Sequence, residues 1–243
     1  MKDIDISIIC SIWNRPKFLI DALQSIVDQD YKGKTQVVLC DDGSLDATTK
    51  VIEHYQSAFD RFDVIRENPD PEERMKSSRL AIMINKALPL CVGNYISYLP
   101  DDDIYKPDRS RLMIEFMDKN PAVFMAYHWI KMITISEDKA VVGQTVDLCD
   151  SWDEATKYWV QNIYNRIDHS TIFHRNLGEH NILWDENLKY RRCPDWSFIK
   201  RVIGKDLKID CLEKYLAIGR KIQGQSLNRD GDQMIANMLA KEQ

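Results

Sequence analysis

Residues 95–103 read Tyr-Ile-Ser-Tyr-Leu-Pro-Asp-Asp-Asp, an aromatic and apolar run that ends in three consecutive carboxylates. The run has the length and content of a strand covered on both faces. Core packing gives no reason for three acids at its end, because ionised Asp stays out of apolar interiors unless a partner holds it. In the plainer reading Pro100 breaks the strand and the acids face water as a polar turn. In the sharper reading adjacent carboxylates at a strand end hold a hard cation, Mg²⁺ or Mn²⁺, and leave positions open for phosphate oxygens.

The preceding chain makes the same shape twice. Ile6–Ile12 is a short apolar run broken by Trp13-Asn14-Arg15-Pro16, after which Phe18, Leu19, Leu23, Ile26 and Val27 recur at helical spacing. Gln36–Cys40 is a second strand that stops at Asp41-Asp42-Gly43-Ser44, where Gly43 permits a tight turn and Ser44 or Asp46 can cap the helix running toward Tyr55. Alternating strands and helices predict a parallel sheet with right-handed crossovers. In such sheets the ligand crevice lies outside the carboxyl ends of the strands. Trp13, Asp41, Asp42 and Asp101–Asp103 all fall at such ends, so three strands deliver polar groups to one rim.

Phe62–Ile65 reads as another strand, followed by a charged loop with Pro69 and Pro71. Ser77 or Ser78 then caps a helix through Leu88. Arg79 in its first turn is either a solvated charge or a guanidinium offered to the same crevice for bidentate bonding. Pro107 opens a further helix, Ala122–His128 reads as a strand, and Met132–Ile135 extends it or pairs with Val141–Val146. Asp150–Trp159 reads as a capped helix rich in aromatics; Trp152, Trp159, Tyr158 and Tyr164, each taken alone, fit a core role better than a ligand-stacking one. His169 and His174 stand five apart, the wrong spacing for a zinc pair on one face. Pro194 starts a helix through Val202, with Asp195 near its N-terminus as a helix-dipole acid or as a carboxylate shown to the crevice.

A chain of 243 residues that is 44% hydrophobic can bury one large α/β core. A net charge of −5 argues against a nucleic-acid partner or a broad anionic-membrane surface. Six dispersed cysteines without metal spacing read as reduced, mostly buried thiols. No apolar run reaches the roughly 18–20 residues of a membrane span, and the N-terminus enters a strand pattern directly. The expectation is a cytoplasmic protein, with peripheral membrane attachment and oligomeric state left open. The sequence has no Walker phosphate loop and no GxGxxG, which disfavours P-loop kinases and dinucleotide dehydrogenases.

Ile8–Arg15, Ala22–Ile26, Asp41-Asp42-Gly43-Ser44, Arg79 with Ala81, Ile84, Asn85 and Ala87, Gly93–Ile96, Asp101–Arg109, Ile167-Asp168-His169 and Trp184-Asp185 through Asp195 together resemble the GT-A glycosyltransferases of family two, and among them the spore-coat polysaccharide members. The resemblance spans roughly residues 4–205. It implies an α/β GT-A fold with a mostly parallel central sheet flanked by helices and a Rossmann-like N-terminal half. Residues 1–218 would form one domain, with 1–103 the nucleotide-binding half and 104–218 the acceptor-binding half, followed by a tail or lid at 219–243.

The resemblance also implies roles. Ser11 and Trp13 would line the nucleobase pocket, Asp41 would accept a hydrogen bond from the base, and Arg15 and Arg79 would contact the nucleotide. Asp101 would bind ribose or sugar hydroxyls, and Asp102 or Asp103 would ligate Mn²⁺ or Mg²⁺ on the diphosphate. Asp195 would be the acceptor-activating base, with His169, Arg191 and Trp196 around the sugars. The implied reaction moves a hexosyl or related group from a nucleoside-diphosphate sugar (a UDP- or dTDP-sugar) to a hydroxyl of a glycan, lipid-linked or other acceptor, with inversion. Cys10-Ser11 in place of the common Pro-Thr, and Pro100 before the acids, depart from the family pattern at the nucleotide pocket. A nucleotidyltransferase making activated sugars is the competing reading, weakened by the lack of glycine in Ser11–Asn14; a non-catalytic sugar-binding module is the third.

Overall fold

The computed structural model describes residues 3–70, 72, 76–143 and 146–223. Its strands are β1 (Ile6–Ile12), β2 (Thr35–Asp41), β3 (Arg61–Arg66), β4 (Tyr95–Pro100), β5 (Ile104–Tyr105), β6 (Met125–Ile135), β7 (Val146–Leu148), β8 (Phe173–Arg175) and β9 (Ile209–Ile222). The helices are α1 (Pro16–Val27), α2 (Asp46–Tyr55), α3 (Arg79–Ala87), α4 (Arg109–Lys119), α5 (Glu154–Asn162) and α6 (Pro194–Gly204). The strands join in one sheet in the order β3-β2-β1-β4-β8-β6-β9-β5, with β7 alongside β6.

The expected parallel sheet is present from β3 through β4, where Ile8 sits level with Val37 on one side and Ser97 on the other. Beyond β4 the sheet is mixed: β8 runs antiparallel to β4 and β6, β6 and β9 run parallel, and β5 closes the edge antiparallel to β9. Period-two alternation divides the apolar side chains between two layers. Ile9 and Tyr98 pack with α3 and α6, through Ala81, Ile84 and Phe198. Ile8, Cys10 and Leu99 pack with α1 and α4, through Leu19, Leu23 and Met113. All six cysteines are free thiols, and no helix among the described residues is long and apolar enough to cross a membrane.

Two elements differ from the sequence reading. β9 continues to Ile222, so residues 219–222 belong to the sheet and not to a tail; residues 224–243, the rest of the expected lid, lie outside the described residues. Two of the four α5-region aromatics are not core: Tyr158 and Trp159 face outward, while Trp152 and Tyr164 are half-buried. The amphipathic helix does not need their burial, because Val160 supplies its inward face.

Gly93 shows why β4 lies so close to β1. A Cβ there would stand 2.6 Å from the Ser7 amide nitrogen and 2.7 Å from the Ile6 carbonyl carbon. Backbone atoms cannot swing aside as a side chain does, so Gly93→Ala should lower stability by about 1–3 kcal/mol, the usual cost of overpacking. A urea midpoint equal to wild type would refute this.

Candidate active site

The parallel half brings the carboxyl ends of β1, β2 and β4 to one edge, and backbone bonds hold them level. The Asp42 amide donates to Ile12 O at 3.1 Å, and the Asp101 amide donates to Ser11 O at 3.0 Å. The loop after β1 turns at Asn14, which adopts φ 54°, a left-handed conformation that Asn tolerates better than most residues. Asn14 and the loop after β2 bind reciprocally: the Asn14 amide donates to Ser44 Oγ at 2.9 Å, and the Leu45 amide donates to Asn14 Oδ1 at 2.7 Å. This pairing fixes the two residues on either side, Trp13 and Arg15.

Between these ends lies a cavity of about 260 Å³. Ser11, Trp13, Arg15, Arg79, Asp101 and Asp102 line it, as does His169 from the opposite half. Trp13 is 51% exposed where it lines the cavity. Arg15 Nη1 bridges the acids, at 3.1 Å from Asp101 Oδ1 and 2.6 Å from Asp102 Oδ2. Arg79 Nε donates to Asp42 Oδ1 at 3.0 Å, and Arg79 Nη2 donates to Glu67 Oε2 at 2.6 Å. Burial, with the Asp102 charge beside it, pushes Asp101 up to about 8 against the pull of Arg15. One guanidinium, that of Arg15, is thus shared between the two carboxylates at the mouth of the turn.

Several expected site residues stand elsewhere. Asp41 does not line the cavity: its carboxylate is fully buried, accepting from the Ser44 amide at 2.8 Å and from Arg66 Nε at 2.9 Å. Its neighbour Asp42 faces the cavity instead. Asp103 also turns away, accepting the Arg220 amide at 3.1 Å, and burial followed by the Asp168 and Asp102 charges raises its pKa well above the usual carboxylate range. Trp196 is buried core whose indole N–H donates to Val160 O at 2.5 Å. Arg191 is exposed in the turn after Leu188–Tyr190 and does not line the cavity.

Asp195 stands at the first turn of α6, beyond His169. Burial and the Asp168 charge push it up to about 6, opposed by His169 and by hydrogen bonds from the Trp196 amide and Asn165. His169 thus stands between the two regions, lining the cavity that Asp101 and Asp102 also line while lying within electrostatic reach of Asp195. Its Nε2 is buried and has no hydrogen-bond partner, while its Nδ1 lies 3.7 Å from Asp168 Oδ1. Buried polar atoms are normally hydrogen-bonded, so this nitrogen is an exception beside the cavity. Sequence reasoning missed Arg220, whose guanidinium Nε donates to the Asp102 carbonyl and whose amide holds Asp103. It also missed Glu67 behind Arg79.

An α/β sheet with this strand order and this cavity is the GT-A architecture. S. aureus TarS 1–349, solved in complex with UDP-GlcNAc, superposes with a TM-score of 0.65 at 19% identity, over 93% of this chain and 61% of TarS 1–349. The mannosyltransferase PcManGT from Pyrobaculum calidifontis, in complex with GDP-Man and Mn²⁺, superposes with a TM-score of 0.60 at 12% identity, over 89% of this chain and 56% of that one. The sequence model described as "Glycosyl transferase family 2" matches residues 7–192, and the chain belongs to that family. Protein CgeD of Bacillus subtilis is 29% identical over 203 residues, 81% of this chain and 46% of CgeD. The uncharacterized glycosyltransferase MJ1057 of Methanocaldococcus jannaschii is 24% identical over 216 residues, 87% of this chain and 69% of that protein. The chain spans about half the length of CgeD.

Proposed function

We propose that the protein transfers a sugar from a nucleoside-diphosphate sugar to an acceptor hydroxyl with inversion, in the cytoplasm. The observation that carries this reading is the convergence on one cavity of three strand-end polar groups with a raised-pKa carboxylate, Asp195, beyond it. The Trp13 indole stacks the base of a UDP- or dTDP-sugar, and Asp42, held by Arg79, takes the base-binding role that the family resemblance implies for Asp41. Arg15 exchanges its carboxylate partners for diphosphate oxygens, which its planar fork suits. Asp101 meets ribose or sugar hydroxyls.

The donor set fits a hard cation. Asp102 lines the cavity with its Oδ2 shared with Arg15 at 2.6 Å, and among the described residues no group of three or more His, Cys, Asp or Glu is placed to hold a metal by itself. Mg²⁺ and Mn²⁺ suit such a partial site, because one or two carboxylates, diphosphate oxygens and water complete their shell. When bound, the cation neutralises charge building on the leaving diphosphate. We assign that role to Asp102 in preference to Asp103, because Asp102 lines the cavity whereas Asp103 accepts the Arg220 amide.

Asp195 takes the proton from the acceptor hydroxyl as that oxygen bonds to the anomeric carbon. The bond from that carbon to the diphosphate breaks with the electron pair leaving on the diphosphate. A single displacement from the opposite face needs only this one carboxylate and inverts the centre. The deciding experiment incubates the protein with Mn²⁺ and a panel of UDP-, dTDP- and GDP-sugars and measures nucleoside diphosphate. Metal-dependent release of UDP or dTDP is the expected result, with chelation abolishing it. Release of pyrophosphate, or no turnover of any donor, would overturn the proposal.

A further inference from the structure

A second hollow, of about 300 Å³, lies between α5 and the segment Tyr164–Ile167. That volume is at the small end of the range for ligand pockets. It is walled by Trp159, Tyr164, Asp150, Asp153 and Arg166. Trp159 is 43% exposed although it sits one residue from Val160, which is buried. Its ring meets Tyr164 edge-on, with centroids 5.2 Å apart at 70°, and together they make an aromatic corner. Arg166 Nε lies 3.0 Å from Asp150 Oδ2, and Asp153 Oδ1 accepts the Thr156 amide at 2.7 Å as the cap of α5.

We infer that this hollow is the acceptor subsite and that it takes an uncharged sugar ring. The inference rests on the sugar-transfer reading above and names its acceptor class. An aromatic face beside carboxylates and a guanidinium matches a pyranose, which presents an apolar C–H face and a rim of hydroxyls. Asp150 and Asp153 against Arg166 leave the hollow net negative, and the arginine is already engaged by an acid. A phosphate-bearing acceptor would meet like charge there, which selects against it.

The hollow is also joined to the reaction centre. Asn165, between the lining residues Tyr164 and Arg166, lies near enough to Asp195 to hold its pKa down, while its own amide donates to Ile167 O at 2.7 Å. The Trp196 indole, next to Asp195, donates to the carbonyl of Val160, another lining residue. The wall that carries Trp159 and Val160 is thus bonded to the residue next to the base.

Saturation-transfer NMR on the purified chain tests this with cellotetraose, chitotetraose, xylotetraose and maltotetraose as neutral probes, and with an oligo(glycerol phosphate) as the anionic one. UDP affinity is measured in parallel. At least one neutral tetrasaccharide is expected to bind, the anionic oligomer is not, and Trp159→Ala should weaken the glycan tenfold or more while changing UDP affinity less than twofold. Trp159→Phe should restore most of the binding. Neutral glycans that bind Trp159→Ala as well as wild type, glycans that fail to bind a protein holding UDP, or preference for the anionic oligomer would each overturn the subsite. Failure to bind any nucleotide would instead overturn the transfer reading and with it the acceptor role, whatever the glycan arm shows.

Discussion

Asp195→Asn is expected to lower glycosyl transfer by about 10²–10⁴-fold, the usual contribution of a positioned general base. Nucleotide affinity should stay within about twofold, because Asp195 is not among the residues lining the nucleotide cavity. The pH profile gives a second reading. With Asp195 pushed up to about 6, the active deprotonated form is scarce below pH 6 and complete well above it. Wild-type kcat/KM should therefore rise through pH 6 and level off, and the Asn variant should lose that limb. Stability has the opposite sign. A folded-state pKa above the unfolded one means that Asp195 supports the fold only while protonated, and that support is lost as pH rises through about 6. At pH 7 the ionised carboxylate is a cost, so Asp195→Asn should leave the Tm unchanged or raised. Low activity with a raised Tm would separate a lost base from a damaged fold. Turnover within about threefold of wild type would refute the assignment.

How much of this was visible in the residues depends on the scale considered. The parallel half was legible because Ile6–Ile12, Gln36–Cys40 and Tyr95–Leu99 are continuous apolar runs, and parallel strands must deliver their carboxyl ends to one edge. Which of two adjacent acids faces the cavity was not. Strand side chains alternate with period two, so Asp41 and Asp42 exchange roles if the strand ends one residue later. The same ambiguity affects Asp101–Asp103, where the turn directs Asp102 into the cavity and Asp103 onto the Arg220 amide. Asp195 and Trp196 divide in the helical version of this problem, since consecutive positions on α6 point about 100° apart, one toward His169 and one into the core. Arg191 resembled a site residue because of its neighbours in sequence, yet a short turn leaves it in solvent. The partners of Arg79 and of the three acids come from distant segments, and no local pattern announces them.

Arg220 is the clearest such partner, and its removal should be costly. The sequence reading began the tail or lid at Gly219. Here Gly219 lies inside β9, paired with Met132 on β6, and a strand glycine often marks such a close approach. The strand thus carries Arg220 beneath the acid turn, where it is nearly buried. Its Nε donates to the Asp102 carbonyl, its Nη1 lies 2.6 Å from Asp21 Oδ2, and its guanidinium sits 5.2 Å from the Phe18 ring centroid. Arg220→Ala would leave the Asp102 carbonyl without its donor and Asp21 with Lys139 alone. Charged hydrogen bonds contribute roughly 1.5–3 kcal/mol each, so the expected loss is about 2–5 kcal/mol, a large share of the 5–15 kcal/mol typical of a domain. Asp102 would also lose its fixed backbone, and donor KM should rise more than kcat falls, opposite to the signature of Asp195→Asn. Arg220→Lys restores a charge but not the fork that spans Asp102 O and Asp21, so it should recover only part of the stability. A chemical denaturation midpoint for Arg220→Ala indistinguishable from wild type would show that the acid turn holds its shape without this strand.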